Sequence, residues 1–148
     1  MAVDIRLTLK LGEPEAKMFK TLIVEDNALI RETLKGLFTR HFSSMIVEEA
    51  SDGKKAMEKV GFFQPDLILM DLRLPGESGL ELTQKIKIMD SNVKVVILTG
   101  DHAPEYKEMA ARYGADGFLV KGGASQEILA VVGSFLSNAE ESTVSKKQ

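Results

Sequence analysis

The sequence predicts an α/β fold, a five-stranded parallel sheet with helices on both faces. Two observations carry this. Five short apolar runs recur between residues 18 and 137, and the stretches between them repeat apolar residues at helical spacing. Parallel strands covered on both faces read as continuous Val/Ile/Leu runs, and each needs a crossover, usually a helix, to reach the next.

The runs are FKTLIVED (19–26), MIVEEA (45–50), DLILMD (66–71), VKVVILTG (93–100) and DGFLVK (116–121). Between the first two, Ile30, Leu34, Leu37, Phe38 and Phe42 fall on one helical stripe; in 125–137, Ile128, Val132, Phe135 and Leu136 do the same. Ser78 with Glu81 fits a capping box, Pro104 suits a first helical turn, and Gly114 marks a helix end. Right-handed crossovers then place helices on both sides of the sheet.

The expected domain occupies residues 18–137. Residues 1–17 form an N-terminal extension. Val3, Ile5, Leu7, Leu9 and Leu11 alternate as in a half-buried strand, so an added strand and a disordered arm both remain open. Residues 138–148 form a polar C-terminal tail expected to fray.

Composition narrows the function classes. A chain of 148 residues with 44% hydrophobic and 28% charged residues reads as one soluble globular domain. A net charge of −3 without a basic stripe gives no electrostatic basis for direct nucleic-acid binding. No run approaches the length of a membrane span, which leaves a cytoplasmic location as the default. Zero cysteines exclude thiol chemistry, and two distant histidines, His41 and His102, make a zinc site a poor fit.

The strand ends carry the chemistry. The first run ends in Glu25 and Asp26, the third in Asp71, the fourth in Thr99 and the fifth in Lys121. Open parallel sheets bind ligands outside the carboxyl ends of their strands, where the winding direction reverses. Carboxylates gathered there repel one another by roughly 3 kcal/mol per pair at 5 Å and an effective dielectric near 20. A hard cation with oxygen ligands relieves that repulsion, and Mg2+ suits a site without His or Cys. Any one of these acids alone reads more simply as a solvated strand end.

Four segments, LIVEDN, PDLILMDLRLPGESGLEL, VVILTGD and GADGFLVKGGAS, resemble in order and spacing the receiver domain of two-component response regulators. The likeness covers about residues 18–137. It implies a flavodoxin-like doubly wound (βα)5 three-layer sandwich with strand order 2-1-3-4-5. It further implies a phosphorylation-activated switch, an enzyme only toward itself, with Asp71 as phosphoacceptor. Glu25, Asp26, Asp71 and the backbone carbonyl of Arg73 would hold Mg2+. Thr99 and Lys121 would stabilise the phosphoryl group, and Thr99 with Phe118 would form the switch. The implied partners are a sensor histidine kinase or phosphotransfer protein, an unnamed downstream protein, and a second copy of the chain through the fourth helix, fifth strand and fifth helix.

The family commonly has proline after the lysine; here Gly122 follows, and KGGAS is expected to be mobile. Arg73 and Asp101, each two places beyond a site residue, are read as modulators pairing across the site mouth to shield an acyl phosphate from water. Two independent solvated side chains are an equal reading. The alternative function is a pseudo-receiver, the same fold serving as a constitutive protein-interaction module. A flavin site would need hydroxyls and glycines where EDNALI stands, and a haloacid-dehalogenase-like phosphatase would need an acid where Arg73 stands.

Overall fold

The computed structural model describes residues 17–100 and 104–146, with side chains through residue 141. The alternating segment 3–11, His102 and Asp101 lie outside the described residues.

Strand β1 (Phe19–Val24) leads into helix α1 (Ala28–His41), β2 (Met45–Ala50) into α2 (Gly53–Phe63), and β3 (Leu67–Asp71) into α3 (Gly79–Met89). Strand β4 (Lys94–Thr99) leads into α4 (Pro104–Arg112), and β5 (Gly117–Val120) into α5 (Ser125–Lys146). All neighbouring strands pair in parallel in the order β2-β1-β3-β4-β5. This is the expected doubly wound, flavodoxin-like fold. A minimal hairpin, Arg73–Leu74 against Glu77–Ser78, interrupts the β3–α3 joint.

The central strand explains why the runs show no polar alternation. Leu67 and Leu69 pack in one cluster with Leu34, Leu37 and Phe38 of α1 and Ile128 and Val132 of α5. Ile68 and Met70, facing the other way, pack with Ala56 and Val60 of α2, Leu82 and Ile86 of α3, and Ala110 of α4. Every residue of β3 is buried. Successive strand side chains point to opposite faces, so a strand covered twice needs apolar residues at every position. Edge strand β2 departs from this: Ile46 is exposed and Glu48 and Glu49 are only half-buried.

Local signals fix the helix starts. Asn27 caps α1 by accepting from Ile30 N at 3.1 Å, and Asp52 caps α2 by accepting from Lys55 N at 2.8 Å. Ser78 caps α3, but its hydroxyl accepts from Leu80 N at 3.2 Å rather than from the amide of Glu81 that a capping box uses. Helix α4 starts at Pro104 as its sequence suggests. Helix α5 runs to Lys146, well past Ser137 where the sequence turns polar. Phe135 and Leu136 pack against the core as that stripe predicts, and beyond Ser137 Ala139 does too, so apolar contact outlasts the obvious stripe.

Candidate functional site

Strand register builds the site. Val24 is paired with Met70, Asp71 with Leu98, and Thr99 with Val120. The next steps along β1 and β5 are Glu25 and Lys121, so the strands end together at one rim. Glu25, Asp71 and Lys121 each lie two residues beyond Ile23, Leu69 and Leu119, which share one cluster. Period-two alternation therefore turns the three side chains to one side of the sheet.

Carboxylate oxygens of Glu25, Asp26 and Asp71 lie within 4.8 Å of one another. Lys121 Nζ stands between two of these acids, 2.6 Å from Glu25 Oε1 and 2.9 Å from Asp71 Oδ1. At Oε1 the ammonium is an ion-pair neighbour without an aligned hydrogen bond. The other Glu25 oxygen, Oε2, accepts from Asn27 N at 3.0 Å, and Asp71 Oδ1 accepts from Arg73 N at 3.2 Å. Glu25 is fully buried, Asp71 and Thr99 are 3% exposed, and Asp26 is open to solvent.

The electrostatics follow from this packing. Burial pushes the Glu25 carboxyl up to about 7, with Lys121 opposing and Asp71 adding to the rise. Hydrogen bonding with Glu25 holds the Asp26 carboxyl below its ordinary range. Burial alone would lower the Lys121 ammonium, but its close pairing with the Glu25 and Asp71 carboxylates outweighs this and holds it above the usual lysine range. One lysine thus faces two buried acids, with a third at the rim. Oxygen ligands, an excess of negative charge and no competing soft donor form a set that a hard divalent cation fits.

A cleft of about 470 Å3 opens over this rim, lined by Glu25, Asp26, Asp71, Arg73, Thr99 and Lys121 among others. The structure brings together every sequence-predicted strand-end residue. Phe118 is placed elsewhere: it packs half-buried against the cluster under α2, α3 and α4 and lines a separate groove between α4 and β5. Arg73 Nη2 donates to Tyr106 Oη of α4 at 3.3 Å, a partner the sequence did not suggest. Gly122 adopts φ +76°, closed to proline and unfavourable for other L-residues, so the departure from the common proline goes with a different turn.

A family model for the response regulator receiver domain matches residues 21–133. The chain belongs to the response regulator receiver family. Among solved structures, a CheY-like receiver domain from Methanospirillum hungatei superposes with a TM-score of 0.77 at 25% identity, covering 85% of this receiver and 99% of that chain. The chemotaxis protein CheY4 of Vibrio cholerae gives 0.74 at 27%, covering 80% and 98%. Among curated relatives, the oxygen regulatory protein NreC of Staphylococcus carnosus is 34% identical over 114 residues, 76% of this chain and 52% of that protein. The uncharacterized transcriptional regulatory protein YesN of Bacillus subtilis is 27% identical over 132 residues, 88% of this chain and 36% of that protein. The receiver thus spans about a third to a half of the length of these relatives.

Among the residues that sequence reasoning passed over, Asn27, Arg31 and Gly79 shape the rim. The Arg31 guanidinium donates to the Glu25 carbonyl, and a β-carbon on Gly79 would overlap the Asp71 carbonyl oxygen. Arg31 sits one turn past the Asn27 cap, on the helical face nearest the strand end; only that spacing hinted at it. No helix among the described residues is long and apolar enough to cross a membrane.

Proposed function

We propose that this receiver is a phosphorylation switch whose phosphoacceptor is Asp71. The observation carrying this reading is the Lys121 ammonium held between Asp71 and Glu25, with the Asp26 carboxylate beside them at the mouth of an open cleft. An Asp71 oxygen forms the new P–O bond as the P–N bond of a donor phosphohistidine breaks, and the electron pair leaves on the imidazole nitrogen. Lys121 offers the transferred group a point charge, and the Thr99 hydroxyl offers it a hydrogen bond.

Glu25, Asp26, Asp71 and the Arg73 carbonyl would hold Mg2+. Bound there, that ion supplies charge neutralisation on the phosphoryl oxygens, most of what phosphoryl transfer requires. The rest falls to the chain. Asn27 and Arg73 backbone amides orient the two buried carboxylates, and Tyr106 holds the Arg73 side chain at the cleft mouth, where it shields the acyl phosphate from water.

Thr99 and Phe118 both belong to the strand faces turned toward α2, α3 and α4, as Ile97 does, and Phe118 pairs with Ile97 in register. Movement of Thr99 toward the phosphoryl group opens space beside Phe118, whose turning would reshape the α4–β5 groove for a protein partner. The donor is a sensor histidine kinase or phosphotransfer protein, and the output is protein–protein binding.

Incubation with acetyl phosphate and Mg2+ tests this reading. Wild type should acquire one acid-stable, base-labile label, and Asp71→Asn should acquire none. Label that persists in Asp71→Asn, or wild type that stays unlabelled, removes the phosphoacceptor; the second result is the one expected of a pseudo-receiver.

A further inference from the structure

Besides its ion pair with Lys121, Glu25 is held at three points. Its amide donates to Ala50 O at 3.0 Å, its Oε2 accepts from Asn27 N, and its carbonyl accepts from Arg31 Nη1 at 2.7 Å. The third contact is unusual, because a long side chain from the following helix reaches back to the backbone of a site residue. Arg31 is itself braced. Its Nε lies 3.5 Å from Glu49 Oε1 on β2, whose other oxygen lies 3.5 Å from Lys35 Nζ, and only 18% of the Arg31 side chain is exposed.

From this bracing we infer that Arg31 is a positioning residue that sets the cation affinity of the rim by fixing the Glu25–Asp26–Asn27 corner. The inference rests on the proposed cation site and names a determinant of it. The carbonyl of Glu25 lies past the end of β1, so the sheet does not place it. Without that anchor, ψ of Glu25 and φ of Asp26 are freer, and these two dihedrals set how the two side chains point relative to each other. A guanidinium suits the position, since its rigid fork lets Nη1 donate to the carbonyl while the Nε edge stays in ion-pair range of Glu49. A lysine keeps the charge but offers a single nitrogen. Groups that orient metal ligands typically set affinity by 10- to 100-fold.

The test is Mg2+ titration of the full chain by calorimetry, with urea melts to establish folding. Arg31→Lys, which leaves the local charge unchanged, should bind Mg2+ at least tenfold more weakly. Lys35→Met, which loses a bond to the same Glu49 but does not touch Glu25, should bind as wild type does. Arg31→Gln guards against a failure of the lysine variant to fold. It removes a repelling cation, so charge alone would tighten binding, whereas lost positioning weakens it. Saturating Mg2+ should restore acetyl-phosphate labelling of Asp71 in the folded variant. Affinity within twofold of wild type in the folded Arg31 variant, or an equal loss in Lys35→Met, overturns the inference while leaving the site intact. Wild type without saturable Mg2+ binding overturns the cation site as well.

Discussion

Glu25 concentrates the conflict between stability and function in one side chain. It is fully buried, yet its nearest cation, Lys121, is shared with Asp71. Its folded-state value near 7 exceeds the ordinary 4.5, so between those values the folded protein binds more protons than the unfolded chain. Stability of the metal-free protein must therefore fall as pH rises through that window. The neighbours do not disguise this slope. Asp26 is lowered, so its contribution is lost only as the medium turns acid below the ordinary aspartate range, and Lys121 is raised, so its contribution fades only at alkaline pH. Urea titrations in EDTA should show wild type losing on the order of 1–3 kcal/mol from pH 5 to pH 8. Glu25→Gln should flatten that slope. An equal slope in the variant would place the proton elsewhere.

At the level of elements, the decisive joint is the turn from β3 into α3. Gly79 N donates to Leu72 O at 2.9 Å, and its α-carbon lies so close to Asp71 that a β-carbon would strike the Asp71 carbonyl. Backbone atoms cannot swing aside as a side-chain tip can. Gly79→Ala should therefore displace the end of β3, destabilise the fold by about 2–4 kcal/mol and slow labelling of Asp71 more than tenfold in protein still folded. Gly61 offers the contrast, with open space where its β-carbon would stand, so Gly61→Ala should leave labelling unchanged. The sequence made much of this element plan legible. Apolar runs locate all five strands within two residues, most sharply at β3, where burial on both faces leaves no polar position to blur them. The acids, Thr99 and Lys121 are legible because each ends such a run. Arg31, Tyr106 and Gly79 were not, since their roles depend on which strands become neighbours and how closely a helix approaches. Nor did the apolar stripe of α5 announce its continuation to Lys146, because Ala139, four residues after Phe135, extends it with only a small side chain among polar neighbours.

For the whole molecule, the question is how an event at one rim reaches a surface that a partner can read. The 470 Å3 cleft and the 150 Å3 groove between α4 and β5 share no lining residue, yet both flank the same strand pair. Lys121 N donates to Thr99 O at 2.6 Å, so β4 and β5 are joined at the cleft, and two register steps back from Thr99 and Val120, Ile97 meets Phe118 beside the groove. A ligand at the cleft shifts the groove only through a difference in affinity between two arrangements; moving the ratio from 1:99 to 99:1 requires about 5.5 kcal/mol of such preference. Mg2+ held by the acids as proposed would touch them in either arrangement and should stabilise both. A phosphoryl mimic on Asp71, if Thr99 is its hydrogen-bond donor as proposed, should separate them. Hydrogen exchange with Mg2+ should therefore slow only near residues 24–27 and 71–73, whereas Mg2+ with beryllofluoride should also change exchange across 104–120. Identical patterns under the two conditions would mean that the cleft does not communicate with the groove, and the output surface would have to lie elsewhere on the receiver.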